Sequence, residues 1–200
     1  MENNSQPDKY LIQIGIFTWK QTLQKSDEIL NLAERHSDIS QALSACAFIL
    51  LSSALDQGVR SAISIARSQA KVDGEPLIHY DQLEKAPFLT RVMELPKLLT
   101  NRSLYLDPNN PHTKALKELV HLRNALLHIS EDVKEFTESD SRVTSDEDHL
   151  VVRIPKTENP WDSVPLDQAH KFREAVGVYF REVLDPEKLV PGEIISRLPR

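Results

Sequence analysis

The chain has 200 residues, of which 40% are hydrophobic and 27% charged, so it can bury the core of one ordinary domain and is too apolar for wholesale disorder. It contains 5 glycines and neither a GxGxxG nor a GxxxxGK[ST] string, which excludes the glycine-rich loops of Rossmann and P-loop proteins. A single cysteine, Cys46, excludes an intrachain disulfide and a cysteine-rich zinc site, and its apolar neighbours predict a small core residue.

The net charge of −6 is concentrated in one segment. Residues 131–148 hold eight acidic and two basic side chains, so the rest of the chain is close to neutral. This segment is most simply a solvated loop; the alternatives are that it shields a neighbouring site or docks on a basic partner. Residues 60–123 carry ten basic against seven acidic side chains, so the acidic total does not exclude a nucleic-acid partner.

Neither a signal peptide nor a membrane anchor is predicted. Residues 1–9 are polar, which is untypical of a secretory leader, and they are expected to be disordered. The most apolar stretch, 42–55, is interrupted by serines and is too short to span a bilayer. We therefore expect a soluble cytoplasmic protein without a membrane partner.

Apolar residues recur at helical spacing along most of the chain, which predicts an all-α protein. The second predicted helix is apolar nearly all round in its first half, as is typical of a central, buried helix. Ser37 or Asp38 is its expected cap, and Asn110 with Pro111 starts the fourth helix. Pro96 should break or kink the third. The predicted helices cover residues 10–36, 38–70, 88–99, 111–129 and 166–184.

The segments between these helices predict less regular structure. Residues 71–87 indicate an irregular crossover. Strands at 136–143 and 149–154 would form a small β-hairpin before the last helix, and the end of the chain is expected to pack loosely. The fold class is thus a bundle of four to five main helices with a hairpin-like insertion. The predicted organisation is a disordered start at 1–9, one helical domain at 10–184 with its insertion at 131–155, and a Pro-containing extension at 185–200.

Arg123 lies within an apolar helical stripe. At about 100° per residue, it falls between Leu116 and Leu119 on the helix circumference. A guanidinium does not lose its proton, so burial without a partner is costly. Arg123 must therefore reach solvent, pair with a carboxylate such as Asp56 or Glu118, or face a cleft that holds phosphate. A salt-bridged structural arginine is the simpler interpretation of this residue by itself.

The residues Arg-Asn-Ala-Leu-Leu-His at 123–128 resemble the R-x(4–6)-H motif of HEPN domains, including the polar residue that often follows the arginine. The motif closes a late helix, and the long apolar helix before it ends on a polar tip that includes Asp56. The resemblance covers about 10–184, while the insertion and the Pro-containing extension depart from a minimal HEPN bundle. Ser130 stands where the HEPN domains paired with nucleotidyltransferases have a tyrosine, which argues against adenylylation there.

The resemblance implies a metal-independent endoribonuclease that acts as a homodimer, with RNA as substrate and no cofactor. Arg123 would hold the phosphate, His128 would act as general base or acid, and Asn124 would orient either group. Such a protein could be a toxin or defence effector restrained by an inhibitory partner such as an antitoxin. The candidate supporting or substrate-binding residues are Asp56, Arg60, Lys117 and His121.

Two other functions are open at this point. A non-catalytic HEPN-like dimer that binds a protein or a nucleotide is favoured by the acidic net charge and the few aromatic residues, whereas the intact motif favours the nuclease. A metalloenzyme is disfavoured because the histidines match no metal-ligand spacing, so no metal is expected. A wide stripe of leucines on the motif helix predicts that this helix forms a two-fold dimer interface; its members are Leu116, Leu119, Leu122, Leu126 and Leu127.

Overall fold

A computed structural model describes residues 8–100, 103–128, 143–146, 149–152, 164–184 and 191–197, with side chains over 18–100, 103–125, 164–184 and 191–197. The predicted disorder over 1–7 lies outside these residues, and 8–9 begin the first helix. The described elements, in chain order, are α1 (Asp8–Arg35), α2 (Ser40–Val72), α3 (Ile78–Lys85), α4 (Phe88–Leu99), β1 (Leu104–Leu106), α5 (Pro111–His128), β2 (Val143–Asp146), β3 (His149–Val152), α6 (Leu166–Val183) and β4 (Ile195–Arg197).

The core lies between α2 and α6, with α1, α4 and α5 packed around them. Phe48 of α2 and Phe172 of α6 are buried with ring centroids 5.8 Å apart, and Trp19 of α1 lies 4.2 Å from Phe180. Gly58 permits a close helix contact, because a Cβ there would lie 2.7 Å from Leu184 Cδ1. The prediction of an all-α protein is confirmed, since the described strands form only two small two-stranded sheets.

Among the described residues, α2 alone is long and apolar enough to cross a membrane, with a mean hydropathy of 1.5 in its most apolar window. The apolar stretch 42–55 is too short to span a bilayer, but the whole helix α2 is long enough. Within the protein, 56% of that window is buried, and the core helix of a soluble protein passes the same test. The fold is thus compatible with a soluble protein.

The first half of α2 is only partly buried. Cys46, predicted to lie in the core, is exposed, and Ile49 keeps 42% of its surface exposed. The prediction that Cys46 lies in the core is wrong, because an all-round apolar pattern does not say which side of a helix lacks a neighbour. The predicted cap is wrong as well, because α2 begins after Ile39 and no side chain caps it through a hydrogen bond.

The crossover predicted over 71–87 contains the short helix α3. α2 ends at Val72. Gly74, two residues later, has a left-handed φ of 74°, and the Glu75 N–H donates to Ala70 O (2.8 Å), which closes the helix end. α3 then packs between α2 and α4 through the buried Leu83. The prediction of an irregular segment is wrong over α3, because two turns with one buried residue show no clear periodicity in sequence.

Pro96 lies inside α4, and the helix continues past it to Leu99. Proline has no N–H, so the carbonyl four residues earlier, that of Val92, loses its helical donor. The buried hydroxyl of Tyr179 donates to Val92 O at 3.0 Å. The alternative of a break is therefore wrong, because a side chain of α6 supplies the donor that the proline lacks; the alternative of a kink stays a prediction.

We expect Tyr179→Phe to lower the free energy of unfolding by about 1–3 kcal/mol, because Val92 O would stay buried without a donor. Burial raises the pKa of the Tyr179 phenol well above its usual value. The phenol thus ionises first in the unfolded chain, so the wild type loses this stabilisation progressively as the pH rises past about 10, and the difference between the two proteins shrinks. Urea denaturation at neutral and alkaline pH measures both effects. In the matched control Tyr105→Phe, the tyrosine is half-buried and its hydroxyl has no hydrogen bond among the described residues. Equal losses in the two variants would contradict the proposed role.

The segment 191–197 packs tightly onto the bundle. β4 pairs antiparallel with β1, and Ile194 and Ile195 are buried. The Glu182 carboxylate accepts the backbone N–H groups of Glu193 (2.8 Å) and Ile194 (3.0 Å). The predicted loose packing of the extension is therefore wrong over these residues, because two adjacent isoleucines anchor a stretch whose proline content suggests a loop.

A small antiparallel hairpin forms inside the predicted insertion. β2 and β3 pair with Asp146 opposite His149. The hairpin itself is confirmed over the described strands, Val143–Asp146 and His149–Val152. Residues 136–142 lie outside the described part of the chain.

The start of α5 is as predicted. Asn110 Oδ1 accepts the backbone N–H of His112 at 2.8 Å, and Pro111 is the first helical residue, where its missing N–H costs nothing. From this start, α5 runs past the buried Leu116 and Leu119 to Arg123, Asn124 and the helix end. The cap therefore sets the register of the helix that carries the motif.

Candidate functional site

Three arginines from three helices surround Asp56; we call Arg60, Arg91 and Arg123 the arginine cluster. Asp56 and Arg60 lie one turn apart on α2, Arg91 lies on α4, and Arg123 on α5. Asp56 Oδ1 accepts hydrogen bonds from Arg60 Nε (3.1 Å) and Arg91 Nη2 (3.0 Å). Asp56 Oδ2 lies 3.8 Å from Arg123 Nη2. The fold thereby gathers charges from three separate stretches of the chain.

Arg91 is the most buried member of the arginine cluster. Its side chain is 6% exposed, against 26% for Arg123 and 57% for Arg60. Arg91 Nε is buried and has no hydrogen-bond partner among the described residues. Burial lowers the pKa of Arg91, Asp56 raises it, and the two neighbouring arginines lower it. Since arginine titrates far above neutrality, Arg91 remains a buried positive charge.

Phe88, the first residue of α4, supports two of these guanidinium groups. The Arg123 Cζ lies 4.9 Å from the ring centroid, and the Arg91 Cζ lies 5.7 Å from it. A cation over an aromatic face is attracted by the ring quadrupole, more strongly where water is partly excluded. Phe88 is buried. A carboxylate and an aromatic ring together therefore position Arg91 and Arg123.

The arginine cluster is not neutralised by its carboxylate. Three arginines and Asp56 carry a formal charge of +2 among the described residues. The Asp56 side chain is 17% exposed, so water screens these charges less than at an open surface. A guanidinium can offer two parallel N–H groups to phosphate oxygens. The site can therefore hold a phosphate and stabilise additional negative charge on it.

The two other motif residues lie on α5. Arg123 Nη1 makes a long hydrogen bond of 3.4 Å to Asn124 Oδ1, and Asn124 is half-buried beside it. His128 is the last residue of α5, and its side chain lies outside the described part of the structure. Arg123 and His128 are five positions apart, which on a helix separates them by about 7.5 Å along the axis and about 140° around it. A straight α5 thus places the two residues on different sides of one helix.

The other candidate residues divide into two groups. Asp56 and Arg60 lie with Arg123. Lys117 and His121 lie about 120° and 160° from Arg123 around α5, and no hydrogen bond or ion pair among the described residues connects either to the arginine cluster. Glu118, an alternative partner of Arg123 by sequence, accepts a hydrogen bond from Gln168 instead (2.7 Å). The structure therefore separates Lys117 and His121 from the site that Arg123 forms.

Arg91 was not among the residues predicted from the sequence, although the sequence carries a signal for it. Val92 and Leu95 are both fully buried, and Arg91 lies about 40° from Leu95 on the α4 circumference. An arginine on the apolar side of a helix needs a partner, as was argued for Arg123. The same helical-wheel analysis applied to residues 88–99 would have identified Arg91 as a second cation in need of a carboxylate.

The leucine stripe of α5 is largely used within the chain. Leu116 and Leu119 are fully buried in the core, and Leu122 is half-buried against it. The side chains of the last two members of the stripe lie outside the described residues. A dimer interface on α5 can therefore not use Leu116 or Leu119, which corrects the width of the surface expected from the sequence.

The described residues contain no group of three or more His, Cys, Asp or Glu side chains close enough together to hold a metal ion. In this part of the chain, the candidate site is the cationic centre at Asp56. No protein-family model, curated protein or solved structure matches the chain.

Proposed function

We propose that the protein is a metal-independent endoribonuclease of the HEPN type. The observation that carries the proposal is the position of Arg123, the first residue of the R-x4-H sequence, in a partly buried cluster with a surplus of positive charge. An arginine that only balanced Asp56 would not need two further arginines on the same carboxylate. A surplus of guanidinium groups is typical of a site that binds phosphate.

The chemistry follows from the residue types. The 2′-oxygen of RNA attacks the phosphorus, the bond from phosphorus to the 5′-oxygen breaks, and a 2′,3′-cyclic phosphate remains on the upstream product. A base removes the 2′-OH proton and an acid protonates the 5′-oxygen. An imidazole can fill either role near neutral pH, and we assign both roles to His128. Arg123, with Arg91 behind it, stabilises the charge that grows on the phosphate oxygens.

A second copy of the chain would complete this site. Arg123 and His128 lie on different sides of α5 when the helix is straight, so a second copy of the chain is a simpler way to bring both groups to one phosphate than a bend in α5 or a curled Arg123 side chain. In a two-fold dimer, His128 of each copy can approach the arginine cluster of the other, and two imidazoles can act as base and acid. We therefore propose a homodimer in which the end of α5 faces the partner.

Purified protein is expected to cleave single-stranded RNA in EDTA and to leave a 2′,3′-cyclic phosphate, while DNA of the same sequence stays intact because it lacks the attacking hydroxyl. Gel analysis of end-labelled substrates measures cleavage, and mass spectrometry identifies the product end. Light scattering of the same sample reports the oligomeric state. Cleavage only with added metal would contradict the mechanism, and an active monomer at micromolar concentration would contradict the composite site.

One observation favours a non-catalytic alternative. Arg123 is held by Asp56 and by the Phe88 ring, so it also stabilises the packing of α5 against α2 and α4. A helical dimer that binds a protein or a nucleotide would keep these contacts without chemistry. That function predicts no RNA cleavage at any pH, together with loss of dimerisation or partner binding in Arg123 variants.

A further inference from the structure

Asp56 occupies the position that a phosphate would take at the centre of the arginine cluster. We infer that Asp56 is an internal counter-ion, which holds the three arginines in the free protein and is displaced from them by a phosphate of bound RNA. The inference rests on the proposed function for the identity of the ligand. It assigns a role in substrate binding to Arg91, which lies outside the R-x4-H sequence.

Asp56 accepts hydrogen bonds from only two of the three arginines in the arginine cluster. One oxygen, Oδ1, accepts from both Arg60 and Arg91, whereas Oδ2 lies 3.8 Å from Arg123 Nη2, beyond hydrogen-bond distance. Among the described residues, the one other hydrogen bond of Arg123 is its long bond to Asn124, beside its contact with the Phe88 ring. A phosphodiester offers two charged oxygens to such a site, and each can accept more than one hydrogen bond. It can therefore satisfy donors that a single carboxylate leaves unused.

A second observation concerns the most buried arginine of the cluster, Arg91. The Arg91 side chain is 94% buried, and its Nε has no acceptor among the described residues. A buried donor without an acceptor is unfavourable, and so is a buried charge next to two like charges. An incoming anion would relieve both conditions. Burial lowers the pKa of Arg91, the nearby Asp56 raises it, and the two neighbouring arginines lower it.

Removing the charge of Asp56 should therefore have two opposite effects. Asp56→Asn should destabilise the fold, because three arginines would lose their shared carboxylate. It should also bind phosphate more tightly, by about fivefold or more, because the competing carboxylate is gone and the formal charge of the site rises by one. A purely structural salt bridge predicts the loss of stability without the gain in affinity.

The experiment compares wild type with Asp56→Asn by two measurements. Thermal melts in sodium phosphate and in sodium chloride of equal ionic strength report binding of the anion, because a ligand of the folded state raises the Tm. Fluorescence anisotropy of a 2′-O-methyl RNA oligonucleotide, which cannot be cleaved, reports binding of the polymer. The matched control is Asp81→Asn, since Asp81 pairs with the single arginine Arg67 at 2.8 Å. We expect tighter binding of both probes by Asp56→Asn and no change in Asp81→Asn.

Arg60→Ala tests the inference should Asp56→Asn fail to fold. Arg60 is 57% exposed, and its removal frees Asp56 Oδ1 to neutralise Arg91. Phosphate and oligonucleotide should then bind about three- to tenfold more weakly, whereas Arg67→Ala, 45% exposed on the same helix, should bind as the wild type does. Equal affinities in Arg60→Ala and wild type would overturn the inference, as would an unchanged affinity in folded Asp56→Asn.

The outcomes also separate the inference from the proposed function. Tighter phosphate and oligonucleotide binding by Asp56→Asn, in a protein that never cleaves RNA, would support the counter-ion role and overturn the nuclease. RNA cleavage by the wild type together with unchanged affinities in Asp56→Asn would support the nuclease and overturn the counter-ion role. A gain for phosphate alone would overturn RNA as the displacing ligand.

Discussion

We expect His128→Ala and Arg123→Ala each to reduce single-turnover RNA cleavage by roughly 10²–10⁴-fold. His128 supplies the proton transfers in the proposed mechanism, and without it both the attack and the departure of the 5′-oxygen lose assistance. Arg123→Ala removes a charge that stabilises the transition state and also weakens phosphate binding. Asn124→Ala should cost less, because an amide at that position orients its neighbours and transfers no proton.

Two control variants, a folding measurement and a pH profile make this result specific. Circular dichroism establishes that each variant is folded, and Arg67→Ala, whose arginine pairs with Asp81 and Glu84 away from the cluster, serves as the control for loss of a surface arginine. The pH profile of the wild type should be bell-shaped, because one imidazole must be neutral while its partner is protonated. Cleavage at the wild-type rate in the Arg123/His128 double variant would contradict the site, even in a protein that is a nuclease.

Ile194→Ala should lower the free energy of unfolding by about 2–5 kcal/mol, the range for truncation of a fully buried aliphatic side chain. Ile194 is 0% exposed, in a segment whose composition predicts a loose tail. Its backbone N–H donates to Glu182, and its carbonyl accepts from Asp107, so the surroundings are held on both sides and can collapse little around a cavity. Urea denaturation followed by circular dichroism measures the change.

The control for Ile194→Ala is Ile78→Ala, at a residue that is 57% exposed at the start of α3. A substitution of the same chemistry on the surface should change stability by less than about 0.5 kcal/mol. Equal and small losses in both variants would show that 191–197 does not belong to the cooperative core. A loss confined to Ile194→Ala would establish the segment as part of the domain.

The helices could be predicted because their causes are local. Apolar residues at helical spacing mark the helices that carry the core, and Asn110 with Pro111 marks the start of α5 by side-chain chemistry acting over two residues. Of the two outcomes predicted at Pro96, a break or a kink, the break does not occur, for the opposite reason. A hydrogen bond from Tyr179 supplies the donor that Val92 O lacks. The two residues are 87 positions apart in the chain, so no local sequence pattern predicts this bond.

The candidate site also has one feature that the sequence predicts and one that only the fold decides. The need of Arg123 for an anionic partner follows from its place on an apolar helical face, and Asp56 was one of two carboxylates that could meet it. Which of them does so depends on how α2 and α5 cross, and the choice brings a second arginine, Arg91, to the same oxygen. Whether His128 meets this centre stays a prediction, tested by the variants above.

The sequence by itself determined the all-α class, most helix limits and the presence of a cation that required compensation, because these depend on residue spacing and on the cost of burying a charge. Only the tertiary structure decided that Cys46 is exposed, that Ile194 is buried, and that the charge near Asp56 is +2 and not zero. Each of these depends on which elements lie next to each other in space. Burial and electrostatic energy are set by neighbours distant in the chain, which periodicity along the chain does not encode.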